Sequence, residues 1–247
     1  VGTPLRDWNI NIYRGVLTGC NEAFIINTEK RDEILANCQT DDERTRTAEL
    51  IRPILRGRDI KRYAYEWAEL WLIATFPSRH YNIDEYPAIK QYLLSFGIER
   101  LEQTGKIHIV NGEKVKARKR TSNKWFETQD SISYWEDFSK PKIVWNRIAA
   151  IKQFAKVDES VYIQDSMHFI IGEKLNYICS VLNSKIIQWL LSTIIGEAAG
   201  GNAGNADNIW NIPVPFVSSD KSISDNYLYE KYELTKEEIA FIENRED

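Results

Sequence analysis

The sequence predicts an α+β fold: a mixed or antiparallel sheet with packed helices and a helical tail at the C-terminus. Three observations carry this. Short β-branched runs and helical-period runs alternate irregularly, without the regular strand–helix–strand rhythm that builds a parallel sheet. Aromatic residues make up 12% of the 247 residues, eight of them Trp, so a sizeable core can be filled. The last segment is acidic and carries a helix-start signature.

The elements follow in order. Over 14–26, Gly15 and Gly19 punctuate β-branched and aromatic residues, which predicts two short strands around a turn. Residues 29–37 read as a short polar helix. The apolar run 48–55 is interrupted by Pro53, and 71–76 reads as a buried strand. Pro87 suits a first helical turn, and Ile89, Tyr92, Leu93 and Phe96 keep helical spacing, predicting a helix over 87–103 that ends near Gly105. I-H-I-V with N-G beyond it predicts a short strand or hairpin over 105–113. Strands are predicted over 142–147, at F-A-K-V and at V-Y-I. From Leu175 to Ile194 apolar residues hold one helix face, which Gly196 closes. A Gly/Asn/Ala loop runs to Asn205, and I-W-N-I-P-V-P-F ends a body domain over 1–216. The tail, 217–247, contains a Thr235-x-x-Glu238 capping box opening a short helix.

Composition is ordinary for a folded chain, with 43% hydrophobic and 28% charged residues. The net charge of −4 weighs at first against a nucleic-acid partner, but the charge is uneven. Residues 220–247 hold nine acids and four bases, leaving 28 bases against 27 acids in the rest. A local basic patch therefore remains available. Cys20, Cys38 and Cys179 form no C-x-x-C pair and read as reduced structural thiols of a cytoplasmic protein. The longest apolar helix candidate, 175–195, carries Lys, Asn, Ser and Gln, which excludes a membrane span there. The opening V-G-T-P, without Met, reads as a fragment of a longer protein.

The most localised feature is K-V-K-A-R-K-R-T-S-N-K, residues 114–124, with six cations and no acid. Six aromatics follow within 125–145. Clustered cations attract a phosphate backbone, and aromatics can anchor the scaffold that presents them. A solvated loop explains the same run equally well. A second basic segment, 52–63, has five cations and one acid around Gly57. Within it Asp59-Ile60-Lys61 matches the D-x-K half of a metal-dependent nuclease motif, with no upstream P-D partner. His80, His108 and His168 stand alone, so neither a metal site nor a catalytic residue is assigned. I-W-N-I-P-V-P-F fails the N-P-P-Y pattern of amino-methyltransferases because Ile212 and Val214 separate the prolines.

Taken together, R-G-V-L-T-G-C-N-E-A-F-I-I, L-I-R-P-I-L-R-G-R-D-I-K-R-Y, W-F-E-T-Q-D-S-I-S-Y-W-E-D-F-S-K-P-K-I-V-W-N-R-I and Y-I-C-S-V-L-N-S-K-I-I-Q-W-L-L stand in an order that resembles one family. It is the C-terminal specificity domain of TaqI-like and type IIG restriction–modification adenine-N6 methyltransferases. The resemblance covers roughly residues 6–216. It implies a target recognition domain for double-stranded DNA, without activity of its own. Methyltransferase and nuclease parts, with S-adenosylmethionine and Mg²⁺, would lie upstream in the same chain.

On that reading Arg56, Arg58, Lys61, Lys116, Arg118, Lys119, Arg120 and Lys124 supply phosphate contacts. Arg14, Thr18 and Asn21 lie on the first hairpin, where Gly15 and Gly19 permit close approach. Asn21 and Asn123 are candidates for base edges, Ser122 is a further polar contact, and Trp125 either stacks on a base or belongs to the scaffold. The competing expectations are a type I specificity subunit, a protein-interaction module using the acidic tail, and an independent nuclease built on Asp59 and Lys61.

Overall fold

The structure is a computed structural model, and it describes residues 2–149, 152–158, 160–195 and 204–244. Its contacts divide the chain into two compact units, each assembled from separated segments. The first unit joins Val1–Gly15, Arg56–Glu66 and Glu136–Asp247; the second joins Val16–Leu55 and Trp67–Trp135. The expected boundary at 216/217 is not where the contacts divide, because the tail packs into the core of the first unit.

The first unit is built on a four-stranded antiparallel sheet in the order Phe154–Val157, Lys142–Asn146, Met167–Gly172, Ile10–Arg14. Along Lys142–Asn146 four consecutive residues are buried, so this central strand is covered on both faces. Ile143 and Trp145 face one way, into a cluster with Phe154, Leu175, Ile178 and Leu182. Val144 faces the other, opposite Phe169, whose ring lies 4.7 Å from that of Phe138.

The long predicted helix is divided into Leu175–Leu182 and Lys185–Leu190. The break falls at Asn183, whose amide is turned to the strand: Oδ1 accepts from Phe154 N at 3.1 Å and Nδ2 donates to Phe154 O at 2.8 Å. The type I alternative called for a long spacer helix. Neither helix of this pair is one.

The acidic tail has a structural task. Asp220 accepts from Tyr177 N at 3.0 Å, at the start of helix Leu175–Leu182. Asp225 accepts from Lys185 N at 2.8 Å, at the start of helix Lys185–Leu190. Both carboxylates meet the positive end of a helix and satisfy N–H groups that have no partner within the helix. Beyond them Asp225–Lys231 and Lys236–Glu243 bury Leu228, Tyr229 and Ile242. The Thr235–Glu238 capping box forms as predicted, with reciprocal bonds of 2.8 and 3.2 Å.

In the second unit, Leu70–Ile73 lies between Ile51–Leu55 and Ile25–Asn27, all antiparallel. The hairpin expected over 14–26 does not form. Strand Ile10–Arg14 pairs with Met167–Gly172 in the first unit's sheet, and Asn21–Phe24 turns as a short helix because the Cys20 carbonyl accepts from Ala23 and Phe24. Helix Thr28–Ala36 matches the expected polar helix. Helix Asp41–Leu50 was not foreseen, although Thr40 signals its start by accepting from Glu43 N at 3.1 Å. Glu43 is buried, and its Oε1 accepts from Ala88 N at 3.0 Å, near the start of helix Pro87–Leu94. The single helix expected over 87–103 is cut at Gly97, whose φ of 82° leaves the helical region, and resumes as Ile98–Leu101. The expected 105–113 hairpin is Ile107–Val110 with Glu113–Lys116.

Candidate nucleic-acid interface

The basic run belongs to the second unit. Its first residues form the second strand of the hairpin, and from Ala117 the backbone is irregular. Two buried polar side chains hold it. Arg118, only 5% exposed, donates to the carbonyls of Leu101, Thr18 and Trp125 at 2.7 Å each and of Glu127 at 2.8 Å. Its guanidinium carbon lies 5.0 Å from the centre of the Phe24 ring, and burial pulls its pKa down to about 10. Gln103 donates to the carbonyls of Lys124 and Glu127, both at 3.1 Å, and accepts from the Thr121 hydroxyl at 2.8 Å. A guanidinium carries five donors in a rigid fork, so one side chain can satisfy four carbonyls from four parts of the chain.

This corrects the reading of Arg118. Its donors are spent on backbone, and it is a clasp for the loop rather than a phosphate contact. Thr18 is corrected for the same reason. It is fully buried, its hydroxyl donating to Asn21 Oδ1 at 2.7 Å and accepting from Cys20 N at 3.2 Å. Asn123 is half-buried, with Nδ2 donating to Gln129 O at 2.9 Å, so its amide is not free for a bidentate pair with adenine. Trp125 is half-buried and edge-on to Phe126 at 5.6 Å, which places it in the scaffold.

What the clasp leaves outward is a set of cations. Lys116, Lys119 and Arg120 are exposed and have no ion-pair or hydrogen-bond partner for their side chains among the described residues. Lys124 is exposed, its ammonium 5.5 Å from the Phe126 ring, and Ser122 is exposed beside it. Asn21 is also exposed. Together Gly19, Asn21, Arg100, Lys116, Lys119 and Gln129 border a cleft of about 510 Å³. Gly19 has a φ of 75°, and a Cβ there would stand 2.3 Å from Gln129 Oε1, so the cleft wall needs glycine. A second hollow of about 380 Å³ also touches Gln129 and is lined by Thr121, Asn123 and Ser131.

The remaining predicted residues lie in the first unit. Arg58 and Lys61 are exposed and unpaired among the described residues. Arg56 is engaged: its guanidinium meets Asp59 Oδ1 at 2.7 Å, and its backbone N–H donates to Asp59 Oδ2 at 2.8 Å. Asp59 is 5% exposed, with both oxygens taken, which removes the carboxylate an independent nuclease would need from Asp59 and Lys61. Arg14 pairs with Asp165 at 3.4 Å. Its strand neighbour His168 stacks on Trp145 at 5.5 Å, and burial, with Arg147 and Arg14 nearby, holds its pKa down at about 4. The Gly-rich loop expected over 196–205 lies almost entirely outside the described residues.

In the second unit, then, buried Arg118 and Gln103 hold a loop from which Lys119 and Arg120 stand exposed. The chain belongs to the family of TaqI-like C-terminal specificity domains, whose model matches residues 52–214. Among solved structures, the type IIG restriction endonuclease BpuSI is similar at a TM-score of 0.48 and 12% identity, over 95% of this chain and 26% of that one. The type IIL restriction–modification enzyme MmeI, solved in complex with DNA, is similar at a TM-score of 0.45 and 12% identity, over 77% and 23%. The chain thus spans about a quarter of the length of either enzyme. No curated protein sequence matches it. No helix among the described residues is long and apolar enough to cross a membrane.

Proposed function

We propose that this chain is the sequence-specific double-stranded DNA recognition domain of a type II restriction–modification enzyme, of the IIG kind. On this reading it positions upstream adenine-N6 methyltransferase and nuclease parts, which bind S-adenosylmethionine and Mg²⁺. The observation that carries the proposal is the set of unpaired, exposed cations: Lys116 at the end of the hairpin, and Lys119 and Arg120 on the loop held by Arg118 and Gln103. Unpaired cations on a loop held in place are suited to meeting phosphates at fixed positions, and family membership supports the same partner.

Binding of duplex oligonucleotides should weaken steeply as salt rises. Lys119→Ala with Arg120→Ala should flatten the slope of log affinity against log salt by about 2, since each lost phosphate contact removes about 0.9. No binding to any duplex at low salt, or an unchanged slope, would sink the proposal.

A further inference from the structure

The hairpin Ile107–Lys116 has two unlike faces. Its register sets Ile107 opposite Lys116 and Ile109 opposite Lys114, so these four side chains share one face. His108, Val110, Glu113 and Val115 share the other. There His108 binds the Glu102 carboxylate, and His108, Val110 and Val115 are half-buried. The first face covers nothing: Ile107 is 65% exposed and Ile109 66%, and both lysines are exposed without a partner among the described residues. The hairpin's one acid, Glu113, is on the opposite face. The two-residue turn Asn111–Gly112 has positive φ at both positions, 49° and 86°, which matches the natural twist of a tight ribbon.

We infer that this ribbon enters the major groove of the target duplex, where Ile107 and Ile109 read thymine 5-methyl groups and Lys114 and Lys116 contact the flanking phosphates. The inference rests on the DNA reading above and names the reading element. A two-stranded ribbon fits the width of the major groove. Residues i and i+2 of a strand stand about 6.7 Å apart, close to the roughly 6.8 Å of two base-pair steps. An aliphatic side chain has no hydrogen-bonding group, so its favourable contact on a major-groove base edge is the thymine methyl. Two aliphatic side chains flanked by two unpaired cations, with no acid on that face, complement a groove that is apolar at its thymines and anionic along its walls.

The test begins by selecting bound duplexes from a random library with the whole chain. Replacing thymine by deoxyuridine at a selected position should weaken binding about fourfold per methyl read, the value of one buried carbon. Ile107→Ala with Ile109→Ala should abolish this discrimination while leaving the thermal midpoint unchanged. Lys114→Ala with Lys116→Ala should weaken all duplexes alike. If duplexes are selected but the isoleucine variant keeps the thymine preference, the ribbon does not read them and this inference falls alone. If binding drops with the isoleucines but deoxyuridine has no effect, the residues act as a wedge or a protein contact, and the methyl reading is overturned. If no duplex is selected, the DNA reading fails and takes this inference with it.

Discussion

The guanidinium of Arg118 lies 2.7 Å from the carbonyl oxygen of Thr18, a hundred residues earlier in the chain. That bond joins the cationic loop to the turn bearing Gly19 and Asn21, and so sets one side of the cleft. Arg118→Ala would strand four carbonyls in a buried place. Loss of a buried charge bonded to four carbonyls should cost roughly 3 kcal/mol or more in urea denaturation. Arg118→Lys should recover only part, because an ammonium has three donors for four acceptors. A variant of native stability that had lost only DNA affinity would return Arg118 to the phosphate-facing set.

Asp59 offers a second structural test. Asp59→Ala removes the acceptor for both the guanidinium and the backbone N–H of Arg56. We expect a loss of roughly 2 kcal/mol. Mg²⁺ should leave the thermal midpoint of the native chain unchanged. A Mg²⁺-dependent rise that Asp59→Ala removes would revive a metal site.

His168 should make the fold acid-sensitive. Its folded pKa, about 4, is below the ordinary 6.5, so between these values the unfolded chain binds a proton that the native chain does not. Stability is then full above about pH 6.5 and falls as pH drops toward 4. The imidazole is only partly buried, so the loss should be on the order of 1–2 kcal/mol. His168→Gln should flatten the stability–pH curve in that window. An unchanged curve would show that other groups set it.

The tail should behave as part of the core. Leu228→Ala should cost about 2–5 kcal/mol, as for a fully buried leucine. Asp220→Ala and Asp225→Ala each remove a helix-end acceptor and should cost about 1 kcal/mol. Truncation after residue 217 that left the midpoint unaltered would contradict this role.

Local signals were legible where the physics is local. The Asn111–Gly112 turn, the Thr235 capping box and the strand after Pro141 depend on neighbours within a few residues, and all three form. The continuous helix over 87–103 failed because apolar spacing carries no mark of the turn at Gly97. The hairpin over 14–26 failed because Ile10–Arg14 finds its partner in Met167–Gly172.

The sequence by itself determined the α+β class, the position of the basic run and the family it resembles. Those follow from composition, periodicity and the order of motifs, all properties of the chain read linearly. Only the tertiary structure decided which cations in 114–124 are free. Arg118 and Lys119 are adjacent and alike in charge, yet one is buried among carbonyls drawn from Thr18 to Glu127 and the other is exposed. Burial of a charge depends on acceptors brought from distant segments, and no local pattern in the run records where those acceptors will be.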